Sequence, residues 1–413
     1  MNDLSRRTFL MGAGLAAAAP LLSTGTASAA TEPDQLFSDG WFSAADRGYA
    51  RILRENPANA HAAAQRGYIA LLGNRFADAE KHLSRAISLG DLVSRQRLAE
   101  CFVRQDQHAR AVPLLRAGNQ RDQAYAELYS RLEGPAWQVH GARSTRVPFL
   151  MTDPVPAVQA SLNGGPPKGF LLDTYSTLDL NQADAEEAGL RSVATVTGVA
   201  MGGPVTIHLG ILDSIRIGDI ELRNIPMQWI DMRRPALPDG SQPAGVLGTT
   251  TFYHLLTTMD YAGQSLALRR KTSGFRTSGD RLPLWLAGDH YPCSLGSMNG
   301  YGPRVVTLDT GGLAHGLDTT VEMAERVGIT VDYDHPRQMG GTTVYPITAD
   351  RISLGRAVGH DVRGFASERG GMGIPGPGQA AQFGFTPIAN FTHEFFKPFA
   401  VTFDYTDMHV YIR

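Results

Sequence analysis

Two aspartates in this sequence stand in the same local setting, and carboxylates are side chains that can perform acid–base chemistry. Asp173 follows the apolar run 170–172, Asp309 follows the mainly apolar run 305–308, and each is followed by threonine. Two carboxylates held about 3 Å apart cannot both ionise cheaply, so they share one proton. Such a pair can take a proton from water while it hydrogen-bonds a carbonyl oxygen, which is hydrolytic chemistry without a metal.

The sequence around each aspartate is repeated. Each Asp-Thr pair is followed by a short helical segment that closes on glycine, at 183–190 and again at 321–329. An Asp-Tyr pair recurs at 260 and 404, each time before a predicted hairpin turn. The Asp-Thr pairs are 136 residues apart and the Asp-Tyr pairs 144, so a duplicated β lobe is the economical explanation. The predicted lobes are residues 145–271 and 272–413.

These segments resemble the Asp-Thr-Gly signature of aspartic peptidases of the retropepsin-like, bacterial type. Leu172-Asp173-Thr174 matches it in lobe 1, and Leu308-Asp309-Thr310-Gly311 matches it in lobe 2. Residues 244–248 resemble the second apolar strand that passes behind the catalytic loop, and residues 163–165 resemble the opening hairpin. Glycine-rich turns stand where each lobe would carry its flap hairpin. These turns are at residues 202–203 and 340–341.

The resemblance implies a mainly β, bilobed double barrel with a cleft between its lobes. Asp173 and Asp309 would face each other in that cleft as the catalytic residues, and the substrate would be a peptide or protein. Threonines would hydrogen-bond across the lobe junction, and glycines would let the loop backbone turn beside the carboxylates. These supporting residues are Thr174, Thr310, Gly311 and Gly248. No metal and no cofactor are implied.

Two departures from the signature leave several functions open. Tyr175 stands where lobe 1 should carry glycine, and its side chain could turn away from the cleft, line a substrate subsite or block the carboxylates. In lobe 2, residues 384–387 are predicted to match 245–248, so Pro387 replaces the second structural glycine. An active endopeptidase and a catalytically silent peptide-binding module both remain open. A β-rich binding domain in which the Asp-Thr pairs only cap turns is the third possibility.

Other catalytic patterns are weak. The twelve histidines are scattered, and pairs such as His393-Glu394 lack the spacing of a zinc-binding motif. There is no G-x-S-x-G motif for a serine nucleophile. The two cysteines, at 101 and 293, exclude a disulfide scaffold and a four-thiolate zinc site.

Residues 1–29 resemble a twin-arginine export signal. Arg6 and Arg7 precede a weakly apolar run at 11–22, and Ala27-Ser28-Ala29 supplies a cleavage site. The run is too short, and too poor in large apolar residues, for a lasting transmembrane helix. We therefore expect a periplasmic or secreted protein without a membrane span after the signal is removed.

Residues 30–134 carry the spacing of tetratricopeptide-like helical repeats. Gly67 and Leu83, for example, are answered 32 residues later by Ala99 and Leu115. Small residues at such positions let paired helices approach closely. The array could hold a peptide or a protein partner in a concave groove, or it could be a structural cap on the next domain.

Composition narrows the choice of partner. The chain of 413 residues has 38 Lys+Arg against 40 Asp+Glu and a formal charge of -2. It therefore lacks the basic excess that a general nucleic-acid binder needs, and nucleic acid is not an expected partner. A hydrophobic fraction of 43% is ample for well-filled cores. The expected fold class is thus multidomain, an all-α repeat array followed by a β double barrel.

Overall fold

The computed structural model describes residues 31–200, 203–339, 341–370 and 376–413. The predicted export signal lies outside these residues, as do Gly202 and Gly340 of the predicted flap turns. Helices come first and a mainly β region follows, as the sequence predicts. In the described part of the chain, no helix is both long enough and apolar enough to cross a membrane.

The N-terminal region is a helical array in which each helix packs against the next. Leu71, Leu72 and Leu83 are completely buried between the helices, while Phe76 is partly buried at their edge. Asn59 and Asn119 cap two of the helices by accepting a hydrogen bond from a backbone N–H in the first turn. The helices are α1 Glu32–Ser38, α2 Phe42–Glu55, α3 Ala60–Leu72, α4 Phe76–Ser88, α5 Ser94–Val103, α6 His108–Arg116 and α7 Gln120–Ser130.

The first β lobe contains a closed barrel with strand order β8-β5-β9-β4-β3-β7, closed by pairing of β7 with β8. β3 and β4 meet in a tight turn where Asn163 and Gly164 have φ of 48° and 73°, which these residue types tolerate. β1 pairs with β8, so the β region begins before the predicted start at residue 145. The elements are β1 Gln138–Gly141, β2 Ser144–Pro148, β3 Ala157–Leu162, β4 Pro167–Asp173, β5 Asp179–Asn181, α8 Gln182–Glu187, β6 Ala194–Ala200, β7 Gly203–Ile217, β8 Ile220–Ile230, β9 Gly245–Gly248, α9 Thr249–Phe252, β10 Leu255–Asp260 and β11 Ser265–Arg270.

The second β lobe repeats this barrel strand for strand. Its ring has the order β14-β15-β20-β16-β19-β18 and is closed by pairing of β14 with β18. The short helix in each lobe is followed by a glycine with positive φ, Gly189 and Gly328, as the duplicated pattern predicts. The elements are β12 Asp280–Pro283, β13 Trp285–Ala287, β14 Tyr291–Met298, β15 Tyr301–Leu308, β16 Leu317–Thr320, α10 Val321–Arg326, β17 Arg337–Met339, β18 Thr342–Leu354, β19 Ala357–Ser367, α11 Pro377–Phe383, β20 Ala389–Phe391, α12 His393–Phe396, β21 Ala400–Asp404 and β22 His409–Ile412.

A shared sheet joins the two lobes. Its order is β12-β22-β21-β10-β11-β2, so the C-terminal hairpin of each lobe pairs with that of the other. Thr258 of β10 lies opposite Thr402 of β21, and their hydroxyl oxygens are 2.8 Å apart. The lobes are therefore joined by backbone pairing as well as by side-chain packing.

The helical array packs against both lobes. On the side of lobe 2, the ring of Phe42 meets Trp285 edge-on with centroids 5.0 Å apart. The buried Arg104, directly after α5, donates to Leu286 O at 2.9 Å and also contacts Gly288 O. Because this guanidinium satisfies carbonyl groups of lobe 2 as well as one of the array, it fixes α5 against β13.

On the side of lobe 1, α7 packs against the hairpin of β6 and β7. Leu128 is 1% exposed and shares a buried cluster with Ile207, Leu209 and Ile230. The β6–β7 hairpin is the one predicted as the flap of lobe 1. One helix of the array therefore supports the base of this hairpin.

We expect Leu128→Ala to loosen this hairpin. The cavity should lower the free energy of unfolding by about 2–4 kcal/mol, and it should speed amide hydrogen exchange at residues 194–198 and 204–209. The matched control is Leu83→Ala, which makes the same truncation in the interior of the array. Both variants should be destabilised, but only the first should change exchange in the hairpin. Equal exchange in the two variants would show that α7 does not support it.

Candidate active site

Asp173 and Asp309 occupy equivalent places in the two barrels. Asp173 ends β4 and is in register with Gly248 of the parallel strand β9. Asp309 directly follows β15, and its N–H donates to Phe391 O of the parallel strand β20 at 2.8 Å. Both aspartates are buried. The duplicated barrel thus places one carboxyl group from each lobe at the lobe junction.

Two threonines join the loops that carry these aspartates. Thr174 N–H donates to Thr310 Oγ1 at 3.0 Å, and Thr310 N–H donates to Thr174 Oγ1 at 3.0 Å. The Thr174 hydroxyl donates onward to Leu308 O at 2.7 Å, and the Thr310 hydroxyl to Leu172 O at 3.4 Å. Each hydroxyl therefore accepts from one loop and donates to the neighbouring strand, so neither loop can move without the other.

The two carboxyl groups lie within hydrogen-bonding reach of each other. Tyr175 N–H donates to Asp173 Oδ1 at 2.7 Å, and Gly311 N–H donates to Asp309 Oδ1 at 2.8 Å. Residue 311 has to be glycine because a Cβ there would lie 2.2 Å from Asp173 Cγ. The arrangement is that of two carboxyls sharing one proton.

The ring of Tyr175 lies in an aromatic cluster. Its ring meets Tyr291 of β14 edge-on at a centroid distance of 4.7 Å, and its hydroxyl accepts a hydrogen bond from Gln379 of α11. The residue is 5% exposed, so its side chain does not form an open subsite. Because the carboxyls reach each other directly, the ring does not separate them.

The two carboxyls differ in their proton affinity. Burial raises the pKa of Asp173 well above its usual range, and the charge of Asp309 raises it further. Burial also raises the pKa of Asp309, but N–H donors from Asn390 and Gly311 stabilise its carboxylate and oppose that rise. We therefore assign the shared proton to Asp173 and the negative charge to Asp309.

The prediction that Pro387 replaces the second structural glycine of lobe 2 is wrong. The strand beside β15 is Ala389–Phe391, with Leu308 opposite Phe391, so the residue next to Asp309 is Thr392. Pro387 precedes this strand, and Thr386 N–H instead donates to Ser38 O of the helical array at 2.9 Å. Aligning the lobes by glycine misplaced the strand because β20 contains no glycine.

Where loop and strand cross, the glycine lies on the strand in lobe 1 and on the loop in lobe 2. In lobe 1, a Cβ on Gly248 would lie 2.1 Å from Ser176 O, so the strand residue is glycine and the loop residue is not. In lobe 2, a Cβ on Gly312 would lie 2.4 Å from Thr392 Cβ, so the loop residue is glycine and the strand residue is not. Each crossing of loop and strand needs one glycine, and either chain segment can supply it.

A second buried carboxylate lies behind each loop, and neither of the two is predicted from the sequence. Asp179 pairs with the buried Arg234, and Asp318 accepts from His315 Nε2 at 3.0 Å. Burial raises the pKa of Asp179, and Arg234 opposes the rise. The signal that could have found them is a Leu-Asp dipeptide shortly after the Asp-Thr pair in both repeats.

One cluster outside the junction has metal-ligand chemistry. Asp153, His393 and Glu394 can each direct one ligand atom to a common point. Lys397 Nζ contacts Asp153 and lies 2.6 Å from Glu394 Oε1. The ammonium group thus already pairs with both carboxylates, so the cluster is explained as an ion-pair network.

Comparison with known proteins supports the assignment of the first lobe. Residues 158–251 match the family described as "Aspartyl protease", a stretch that runs from β3 to α9 and includes Asp173. The crystal structure of basic 7S globulin from soybean matches at a TM-score of 0.35 and 9% identity, covering 65% of this chain and 94% of that chain. No curated protein matches the chain. The family match therefore lies within lobe 1. Lobe 2 resembles lobe 1 because its barrel has the equivalent strand order.

We expect Thr310→Val to weaken the lobe junction. The substitution leaves the buried Thr174 N–H without its acceptor and should lower the free energy of unfolding by about 1–3 kcal/mol in urea denaturation. Thr251→Val is the matched control, because the buried Thr251 hydroxyl has no hydrogen-bond partner in the described part of the chain. That control should leave stability unchanged or slightly raised. Equal stability of the two variants would contradict the role given to Thr310.

Proposed function

We propose that this protein is an aspartic endopeptidase in which Asp173 and Asp309 activate water against a peptide bond. The observation that carries the proposal is the pair of buried carboxyls in mutual reach, each held by a backbone N–H and joined through crossed threonines. The family match over lobe 1 supports the reaction class. Neither Asp-Thr pair acts as a simple turn cap, because each loop is bonded to the opposite lobe.

In this mechanism the two aspartates have different tasks. The Asp309 carboxylate takes a proton from water as the water oxygen bonds to the peptide carbon, and the Asp173 carboxyl gives its proton to the carbonyl oxygen. When the C–N bond breaks, Asp309 gives its proton to the leaving amine. Asp173 recovers its proton as the carbonyl re-forms. No covalent intermediate is needed.

Replacing either aspartate by asparagine should remove activity. Asp309→Asn removes the base and Asp173→Asn removes the acid, so each should lower kcat/KM on fluorescently labelled casein by about a thousandfold. Asp213→Asn, on the exposed surface, is the matched control and should retain full activity. Full turnover by Asp309→Asn would overturn the proposed mechanism.

The pH profile of kcat/KM should be bell-shaped. Its two limbs should lie above the pKa of a free aspartate side chain. Activity should fall at low pH as Asp309 becomes protonated, and at high pH as Asp173 loses its proton. Because burial raises the pKa of both groups, and that of Asp173 most strongly, the alkaline limb should lie well above the usual carboxyl range. Measuring kcat/KM from pH 3 to 8 tests this. A profile that falls throughout that range would contradict the assignment.

A catalytically silent peptide-binding module is the second candidate function. It is favoured by Tyr175, which stands in lobe 1 at the position where lobe 2 has the signature residue Gly311. Titration with pepstatin, a peptide inhibitor of such dyads, separates the candidates when it is combined with the casein assay. Binding without turnover by the wild-type protein favours the silent module, whereas binding with turnover favours the peptidase.

We further propose that the helical array serves as a brace for the β lobes. Its contacts with β13 through Arg104 and with the β6–β7 hairpin through Leu128 support this role. Binding of a protein partner along the array stays a prediction from its repeat-like sequence. Export to the periplasm or medium is likewise proposed from residues 1–29 alone.

A further inference from the structure

We infer that Asn390 is a positioning residue that fixes Asp309 as the base of the pair and leaves Asp173 as the acid. This inference rests on the proposed function, since it assigns the two tasks within that dyad. Asn390 lies in β20 and is completely buried. Its Nδ2 donates to Asp309 Oδ2 at 2.9 Å and lies 3.4 Å from Asp318 Oδ2.

The orientation of the Asn390 amide is determined by its surroundings. Its Oδ1 accepts from the Thr307 hydroxyl at 2.7 Å. If the amide were rotated by half a turn, its oxygen would face two carboxylates and its N–H groups would face the hydroxyl. The observed orientation therefore directs the amide N–H groups of Asn390 to the two acids.

At the position equivalent to Asn390, lobe 1 has a valine, which cannot donate. In lobe 2 Asn390 lies opposite Thr307, and at the same register in lobe 1 Val246 lies opposite Leu171. Asp309 thus accepts N–H donors on both of its oxygens, whereas Asp173 accepts the backbone N–H of Tyr175 on one. Because N–H donors favour the ionised form, the asymmetry puts the negative charge on Asp309.

The second carboxylate beside Asn390 is compensated. His315 Nδ1 faces Leu313 O at 2.9 Å and its Nε2 faces Asp318. Both contacts require a proton on the ring nitrogen, so the ring is an imidazolium paired with the Asp318 carboxylate. Burial opposes this charge, but Asp318 raises the pKa of His315 to about 9. The imidazolium therefore balances the charge of the Asp318 carboxylate, and Asn390 can direct its amide to Asp309.

Two buried phenol groups also lie near Asp309. Burial raises the pKa of Tyr261 and of Tyr175 well above that of free phenol, so both stay neutral. A third buried carboxyl, Asp179, raises the pKa of Asp173 by its charge and is paired with Arg234. Of the pair Asp309 and Asp173, Asn390 contacts Asp309. A change at residue 390 should therefore appear in the titration of this pair.

The test is Asn390→Val, which copies the residue of lobe 1. Loss of the donor should raise the lower apparent pKa of the kcat/KM profile by about one pH unit, which is a tenfold loss of activity on the acid limb. Thr307→Val frees the Asn390 amide to rotate, so it should raise the same apparent pKa by a smaller amount. Thr319→Val is the matched control, because it removes a buried hydrogen bond to Ile388 O without touching Asp309. It should leave the profile unchanged.

A second readout keeps this test separate from the proposed function. The side-chain carboxyl ¹³C signals of Asp173 and Asp309, assigned from the Asp→Asn variants, can be titrated by NMR in the folded protein without turnover. Asp309 should ionise first in the wild-type protein, and at higher pH in Asn390→Val. An unchanged Asp309 titration in the folded variant overturns the inference whether or not peptides are cleaved. Absence of turnover with the expected titration overturns only the peptidase proposal.

Discussion

The architecture depends on the crossed hydrogen bonds between Thr174 and Thr310. Each barrel presents one carboxyl at the end of an internal strand, which by itself has only half of the chemistry needed. The crossed bonds make the two loops one rigid unit, since each hydroxyl accepts from the facing loop and donates to a strand of the facing barrel. The distance between Asp173 and Asp309 is thus set by the junction and is insensitive to movements at the outer rims of the barrels.

This shared core carries a systematic asymmetry. Tyr175 faces an aromatic cluster contributed by lobe 2, whereas its counterpart Gly311 lies flat against Asp173. Asn390 gives lobe 2 a side-chain donor where lobe 1 has only Val246. Both differences act on the same pair of carboxyls. In the proposed mechanism, they assign to two different residues the acid and base tasks that a symmetric pair would exchange freely.

Much of the fold could be predicted because duplication is visible in the sequence. The Asp-Thr pairs, the helices closing on glycine and the Asn163 hairpin all depend on local residue preferences. The position of β20 could not be predicted from glycine, because the glycine needed at that crossing is supplied by Gly312 of the loop. Asn390 and His315 were missed for a different reason. Their meaning depends on which strands are neighbours, and pairing partners far apart in sequence leave no local pattern.

The pairing of Thr258 with Thr402 has a consequence for the origin of the asymmetry. These two residues are counterparts in the duplicated lobes, so each lobe binds the other through the same surface. That is an isologous contact, the kind that two identical subunits form about a twofold axis. Enclosing both halves in one chain removes the requirement that they be identical. A substitution such as that at residue 175 or 390 then changes one lobe of the site, whereas in a dimer of identical subunits it would change both. The backbone symmetry is kept, while the side chains around the two carboxyls become different.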